Sequence, residues 1–152
     1  MGTPCTVVYN AFQAKELDDE WINWDPELID MDMRAILDAA IMHFKFPRVS
    51  LEIQDGTPGD PDNRDAFVED LSNREIQILA QYMKCEWLDR SILTWENVKP
   101  LYEERDFSPA NLLDKLNTLS QTHHKYAQKL ESYYYRSIDN KPFDYTRLAG
   151  GN

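Results

Sequence analysis

Apolar residues recur at alternating spacings of four and three through the last third of the chain, and this pattern predicts one helix from Ser108 to Ile138. Ser108 is a favourable N-cap, and Pro109 fits the first helical position. The recurring positions form a heptad seam of Leu112, Leu116, Leu119, His123, Tyr126, Leu130 and Tyr133, widened on one side by Leu113, Ala127 and Tyr134. A helix of roughly 28 residues is about 40 Å long, so we expect it to pack on the other helices, on a partner, or on both.

The C-terminal end of this predicted helix is aromatic. Tyrosine and arginine are enriched at protein interfaces relative to ordinary solvated surface. We therefore predict that this end contacts neighbouring subunits through Tyr126, Tyr133, Tyr134, Tyr135 and Arg136. The aliphatic stretch from Leu112 to Leu119 is predicted to close the core of the chain itself.

Two further helices are predicted in the middle of the chain. Asp25 and Pro26 begin the first, which ends before Pro47 and has a core face of Ile29, Met33, Ile36, Leu37, Ala40, Ile41 and Phe44. Ser72 and Glu75 form a capping box at the start of the second. This second helix is apolar over more than half its circumference, so we expect it to be packed on two sides. Thr94 is predicted to cap a separate short helix that starts at Trp95.

Between these helices, residues 48–54 alternate between apolar and polar side chains, as a half-buried strand does. A loop rich in Gly and Pro follows, and residues 66–68 can return as a partner strand. The sequence therefore predicts a mainly α fold: a small helical bundle with one long C-terminal helix, a short β-hairpin or extended ribbon near residues 48–69, and extended N- and C-terminal arms. The predicted division is an N-terminal arm (1–24, with one short helix), a helical domain (25–138) and a C-terminal tail (139–152).

Charge is distributed unevenly along the chain. Its 152 residues carry a formal net charge of −11. Residues 1–70 hold 16 acidic and 5 basic side chains, whereas residues 71–152 hold 11 of each. This balance argues against tight binding to a phosphate backbone, which needs clustered Lys and Arg. It fits a surface that repels DNA, a surface that meets a basic partner, or simple solubility.

No catalytic, cofactor or metal motif is recognisable, so we expect neither enzymatic activity nor a cofactor. The three histidines have no nucleophile motif beside them. Asp60, Asp62 and Asp65 lack the Gly and Glu positions of a calcium-binding EF-hand loop, which leaves a solvated acidic loop as the better interpretation. Cys5 and Cys85 match no redox or metal spacing and are expected to be reduced thiols. Neither a signal peptide nor a membrane span is expected.

Four segments carry a resemblance to a known family: MHFKFPRVSLE (42–52), DLSNREIQILAQYMKCEWL (70–88), SPANLL (108–113) and YYYR (133–136). Together they resemble the head-to-tail connector, or neck adaptor, proteins of tailed bacteriophages. The resemblance implies a structural virion protein, assembled in the host cytoplasm, that forms a ring, commonly a dodecamer, beneath the portal. It implies contacts with the portal protein, further copies of the chain, another neck or tail protein, and DNA that passes without specific binding; no membrane contact is expected.

In such connectors a C-terminal segment grips the portal. The resemblance assigns that role here to the tail, with Phe143, Tyr145 and Leu148 as apolar anchors and Arg147 as a polar contact. Acidic side chains facing the channel would keep passing DNA mobile. The candidates for this position are Asp55, Asp60, Asp62 and Asp65, and a location on the outer rim is the alternative.

Two other functions compete with the neck protein. An acidic inhibitor that mimics DNA would explain the charge, but neither the aromatic seam nor the tail. The other alternative is a scaffold or assembly chaperone that binds tail components and is absent from the mature particle.

Overall fold

The structure is a computed structural model and describes residues 2–15, 24–57, 60–98, 109–138 and 141–142. Within these ranges the helices are α1 (Cys5–Gln13), α2 (Pro26–His43), α3 (Asn73–Val98) and α4 (Pro109–Arg136). Strand β1 (Ile53–Gln54) pairs antiparallel with β2 (Ala66–Phe67), and β3 (Ser137–Ile138) pairs antiparallel with β4 (Lys141–Pro142). The predicted fold class is confirmed: a small helical bundle with a long C-terminal helix and a short ribbon between residues 48 and 69.

Helix α3 is the centre of the bundle, since α1, α2 and α4 all pack against it. Every residue from Ile78 to Met83 is buried, which places α3 between neighbours on several sides, as its broad apolar face predicted. The predicted capping box is present at its start. The Ser72 backbone N–H donates to Glu75 Oε1 at 2.7 Å, and the Glu75 N–H donates to Ser72 Oγ at 3.3 Å.

The prediction of a separate helix starting at Trp95 is wrong, because α3 continues without a break to Val98. No Gly or Pro interrupts residues 73–98. The Thr94 hydroxyl does not cap a new helix; it donates to the carbonyl oxygen of Arg90, one turn back, at 3.0 Å. A threonine inside a helix satisfies its hydroxyl in this way without ending the helix.

The N-terminal segment is part of the core. Helix α1 buries Cys5, Val8, Tyr9 and Phe12 in the same cluster as the side chains of α2 and α3. The residues before it run beside β2, where the Phe67 N–H donates to the Thr3 carbonyl oxygen at 2.8 Å. Helix α1 therefore shares one core with α2 and α3, and the predicted division of the chain at residue 24 stays a prediction. Of the segment's described aromatic side chains, Tyr9 and Phe12 are buried in this core, whereas Trp24 is 38% exposed.

The heptad spacing on α4 is present, but the buried line lies one position later than the predicted seam. Leu113, Ser120, Ala127 and Tyr134 are buried at intervals of seven residues, whereas Leu119, Tyr126 and Tyr133 are 46%, 47% and 51% exposed. Leu113, Ala127 and Tyr134 were predicted as the widened side of the seam, and apolarity missed only Ser120, which is polar but donates its hydroxyl to Asp89 Oδ1 at 2.7 Å. Helix α4 also ends at Arg136, two residues before the predicted end. The predicted cap Ser108 lies outside the described residues.

Candidate interaction surfaces

The five predicted interface residues at the end of α4 divide into an inward and an outward group. Tyr134 is 4% exposed and belongs to the core cluster, and Tyr135 is half-buried against it. Tyr126, Tyr133 and Arg136 are exposed. Neighbouring residues on a helix point about 100° apart, so consecutive tyrosines cannot all face the same way.

Tyr134 connects three parts of the chain. Its hydroxyl donates to Glu75 Oε2 of α3 at 2.7 Å and accepts from the Arg48 backbone N–H at 2.8 Å. The Arg48 guanidinium lies 4.5 Å from the centre of the Tyr134 ring and donates to the Tyr134 carbonyl oxygen at 2.7 Å. Burial, followed by the hydrogen bond to Glu75, raises the pKa of the Tyr134 hydroxyl. The Tyr134 side chain therefore makes these polar and cation–π contacts within its own chain.

A second buried carboxylate, Glu131, makes a similar connection. It is 5% exposed, and it accepts from the Tyr82 hydroxyl at 3.1 Å and from the Tyr135 hydroxyl at 2.7 Å. The Tyr135 hydroxyl in turn accepts from the Phe46 backbone N–H at 3.0 Å. Tyr134 and Tyr135 hold the segment after α2 against α4, so both make contacts within the chain. An interface role stays a prediction for all five residues, of which Tyr126, Tyr133 and Arg136 are the exposed ones.

The outward part of α4 forms a surface that we call the α4 stripe: Leu119, Tyr126 and Tyr133. Basic side chains are exposed along the same helix at Lys115, Lys125, Lys129 and Arg136. Lys129 Nζ and Arg136 Cζ each lie 6.0 Å from the centre of the Tyr133 ring, within reach of a cation–π interaction. The α4 stripe is therefore an apolar surface with a positive border.

A second exposed apolar surface was missed by the sequence analysis. On α2, Leu28, Met31 and Met42 are 49%, 64% and 84% exposed, on the side opposite the buried Met33, Ile36, Leu37 and Ala40. We call these three residues the α2 stripe. The signal was available in the sequence: apolar residues at 28, 31, 35 and 42 keep helical spacing on the side opposite the predicted core face.

The acidic loop is fixed to α2 by one cation. Arg34 donates to Asp55 Oδ1 at 2.8 Å and to Asp65 Oδ2 at 2.7 Å, which joins the two ends of the loop. Its Nε also donates to Asp38 Oδ1 at 2.9 Å. Burial alone would lower the pKa of Arg34, but the hydrogen bonds to these carboxylates raise it overall. Two of the four predicted channel acids are thus paired within the chain.

The other two predicted channel acids lie at the tip of the loop. Asp60 is half-buried, and its Oδ1 accepts from the backbone N–H of the exposed Asp62 at 2.9 Å. Over the described residues, no group of three or more His, Cys, Asp or Glu side chains is placed to hold a metal ion. Whether any of the four acids faces a channel stays a prediction.

A groove of about 860 Å³ lies between α1, the first half of α2 and this loop. Met31 of the α2 stripe is one of its lining residues. The described charged residues around it are six acids and two bases, namely Asp25, Glu27, Asp30, Asp38, Asp60, Asp65, Arg34 and Arg64. The α2 stripe therefore borders a concave, acidic surface.

Each of the three histidines contacts a side chain on another helix. His124 Nε2 lies 3.1 Å from Asp89 Oδ2, and the Ser120 hydroxyl donates to the other oxygen of the same carboxylate at 2.7 Å. Serine and histidine thus bind one carboxylate in parallel, unlike a catalytic triad, in which histidine accepts the serine proton. His43 contacts Glu86 of α3, and His123 Nδ1 lies 3.1 Å from the Gln81 amide. These contacts cross-link α2, α3 and α4.

No known protein family matches this chain, and no match is found among curated proteins or solved structures. None of the helices in the described ranges is long and apolar enough to cross a membrane. The predicted tail contacts Phe143, Tyr145, Arg147 and Leu148 lie outside the described residues.

Proposed function

We propose that this chain is a structural protein of a tailed-phage neck, which forms a ring that connects the portal to the next neck or tail component and continues the DNA channel. The observation that carries the proposal is the α4 stripe. Leucine and two tyrosines are exposed at heptad spacing beside basic side chains, on a helix whose opposite face is fixed in the core. Such a surface suits protein contact better than solvent.

The sequence resemblance to neck adaptor proteins indicates the phage neck as the assembly, and the rest of the molecule is compatible with it. The buried hydrogen bonds of Glu75 and Glu131 hold α4 rigidly on α3, so the exposed side of α4 is presented in one orientation. A preorganised surface loses less conformational freedom when subunits associate. The proposed tail contacts with the portal, through Phe143, Tyr145, Arg147 and Leu148, add a second attachment.

The charge of the chain suits a channel protein more than a DNA mimic. A mimic should space its carboxylates along one face as phosphates are spaced, but Asp38, Asp55 and Asp65 converge on the single cation Arg34. The formal net charge of −11 still opposes binding to a passing duplex. In this proposal the acidic side chains of the loop repel the passing DNA, so that the duplex moves through the channel without being bound.

The first experiment asks whether the protein is part of the particle. Purified virions from the genome that encodes the chain are analysed by quantitative mass spectrometry, and we expect a fixed number of copies per portal ring. Particles that lack the chain would reject the neck assignment and favour the assembly chaperone or the inhibitor.

A second experiment tests the tail. The chain without residues 140–152 is expressed with the portal protein of the same genome, and we expect much less of it to copurify with the portal. The matched control is a full-length chain in which residues 143–152 are scrambled, which keeps length and composition. Equal recovery of the intact, deleted and scrambled chains would show that the tail does not hold the portal.

A further inference from the structure

The α2 and α4 stripes match each other in length. Leu28 and Met42 end the first, Leu119 and Tyr133 end the second, and both pairs are 14 positions apart. At 1.5 Å per residue each stripe is about 21 Å long. Two helix faces of equal length can lie along each other from end to end.

Their borders carry opposite charges. Exposed acids at Asp25, Glu27 and Asp30 lie beside the start of the α2 stripe, and the exposed bases Lys129 and Arg136 lie beside the end of the α4 stripe. Each border repels a second copy of itself and attracts the other. Complementary potentials of this kind set which surfaces meet and in which orientation.

We infer that the α2 stripe of one copy binds the α4 stripe of a second copy, with the aromatic end of α4 directed toward the acidic groove beside Met31. Because the two surfaces differ, the contact is heterologous: the first copy still exposes its α4 stripe and the second its α2 stripe, so each can bind a further copy and the copies form a closed ring or an open chain. The closed ring rests on the proposed function, whereas the pairing of the stripes is a property of the purified chain.

The size of the stripes indicates that one such contact is weak. A strip about 21 Å long and about 10 Å wide buries on the order of a few hundred Å² per partner, below the roughly 800 Å² of a standard stable interface. Opposite charges then supply much of the attraction, and salt screens them over about 10 Å at 0.1 M. Association should therefore be favoured by high protein concentration and low salt.

The test exchanges the charges of the two borders. The α2 variant carries Glu27→Lys and Asp30→Lys, the α4 variant carries Lys129→Glu and Arg136→Glu, and the swapped variant carries all four substitutions. Sedimentation equilibrium of the full chain at millimolar concentration and low salt measures self-association. We expect each two-site variant to associate about tenfold more weakly than the natural chain, and the swapped variant to recover.

A mixture and a control complete the design. An equimolar mixture of the two variants should associate, because the natural α4 border of one meets the natural α2 border of the other. The control Glu52→Lys changes an exposed acid outside both stripes and should leave association unchanged. Circular dichroism checks that all variants are folded.

Three results would overturn the inference: a natural chain that stays monomeric at millimolar concentration, two-site variants that associate as strongly as the natural chain, or a swapped variant that fails to recover. Failure here is distinguishable from failure of the proposed function. A monomeric chain that is present in virions removes only the stripe pairing, and a self-associating chain absent from virions removes only the neck assignment.

Discussion

The substitution Tyr134→Phe tests the buried polar connection between α3, α4 and the segment after α2. It removes one oxygen and leaves the aromatic ring in place, so the T-shaped contact with Phe44, whose ring centre lies 5.4 Å away, is retained. The lost oxygen donates to Glu75 Oε2 and accepts from the Arg48 N–H. The effect on stability should therefore come from hydrogen bonding alone.

The magnitude follows from the burial of the partner. Glu75 is 3% exposed, so water cannot readily replace the missing donor at its carboxylate oxygen. A hydrogen bond to a charged group contributes about 1.5–3 kcal/mol. Arg48 is half-buried, so solvent can take over part of its lost contact. We expect the free energy of unfolding to fall by about 2–3 kcal/mol.

Urea unfolding followed by circular dichroism at a helix band measures this difference, and the denaturant slope should stay unchanged if the native fold is kept. The matched control is Tyr126→Phe, the same chemical change on the same helix at a side chain that is 47% exposed. It should alter stability by less than about 0.5 kcal/mol. Equal losses from both substitutions would refute the reasoning, because they would show that the Tyr134 hydroxyl contributes no more than an exposed one.

Three further predictions follow from burial and charge. Leu113→Ala should lower the free energy of unfolding by about 2–5 kcal/mol and Leu119→Ala by less than about 1, since the side chains are 8% and 46% exposed; the reverse order in urea unfolding would restore the predicted seam. Arg34→Met should speed limited proteolysis between residues 55 and 65 about fivefold, and unchanged cleavage would mean that the ion pairs do not hold the loop. Burial raises the pKa of both Cys5 and Cys85 from 9.0 to about 12. The two buried thiols therefore contribute fully to the free energy of unfolding below about pH 9, and this contribution is lost as the pH rises toward 12. Urea titrations in which the free energy of unfolding does not decline over this range would contradict the prediction.

Local signals in the sequence predicted local structure well. The capping box of Ser72 and Glu75 is formed as predicted, since both partners lie within one turn of the same helix. The alternation of residues 48–54 is seen in their exposure, although only Ile53 and Gln54 pair as a strand. These features depend on groups close together in the chain, so no distant contact has to be known.

The sequence did not distinguish exposed from buried positions at the end of α4, because groups distant in the chain decide them. Tyr133 and Tyr134 are adjacent and chemically identical, yet one is exposed and the other buried. The difference is set by Glu75, 59 positions away, which offers a buried acceptor to Tyr134 only. On α2, by contrast, apolar spacing alone identified the buried face, and the exposed α2 stripe was missed although its residues also keep helical spacing.

Hydrophobic spacing, caps and breakers act within a few residues, so the sequence was enough to predict α2, α4, the ribbon between residues 48 and 69 and the excess of acid in the first half. The rotation of α4 about its axis, by contrast, depends on the tertiary structure. That rotation follows from the packing of α4 on α3 and from hydrogen bonds to buried carboxylates. It leaves an apolar stripe with a basic border exposed on α4.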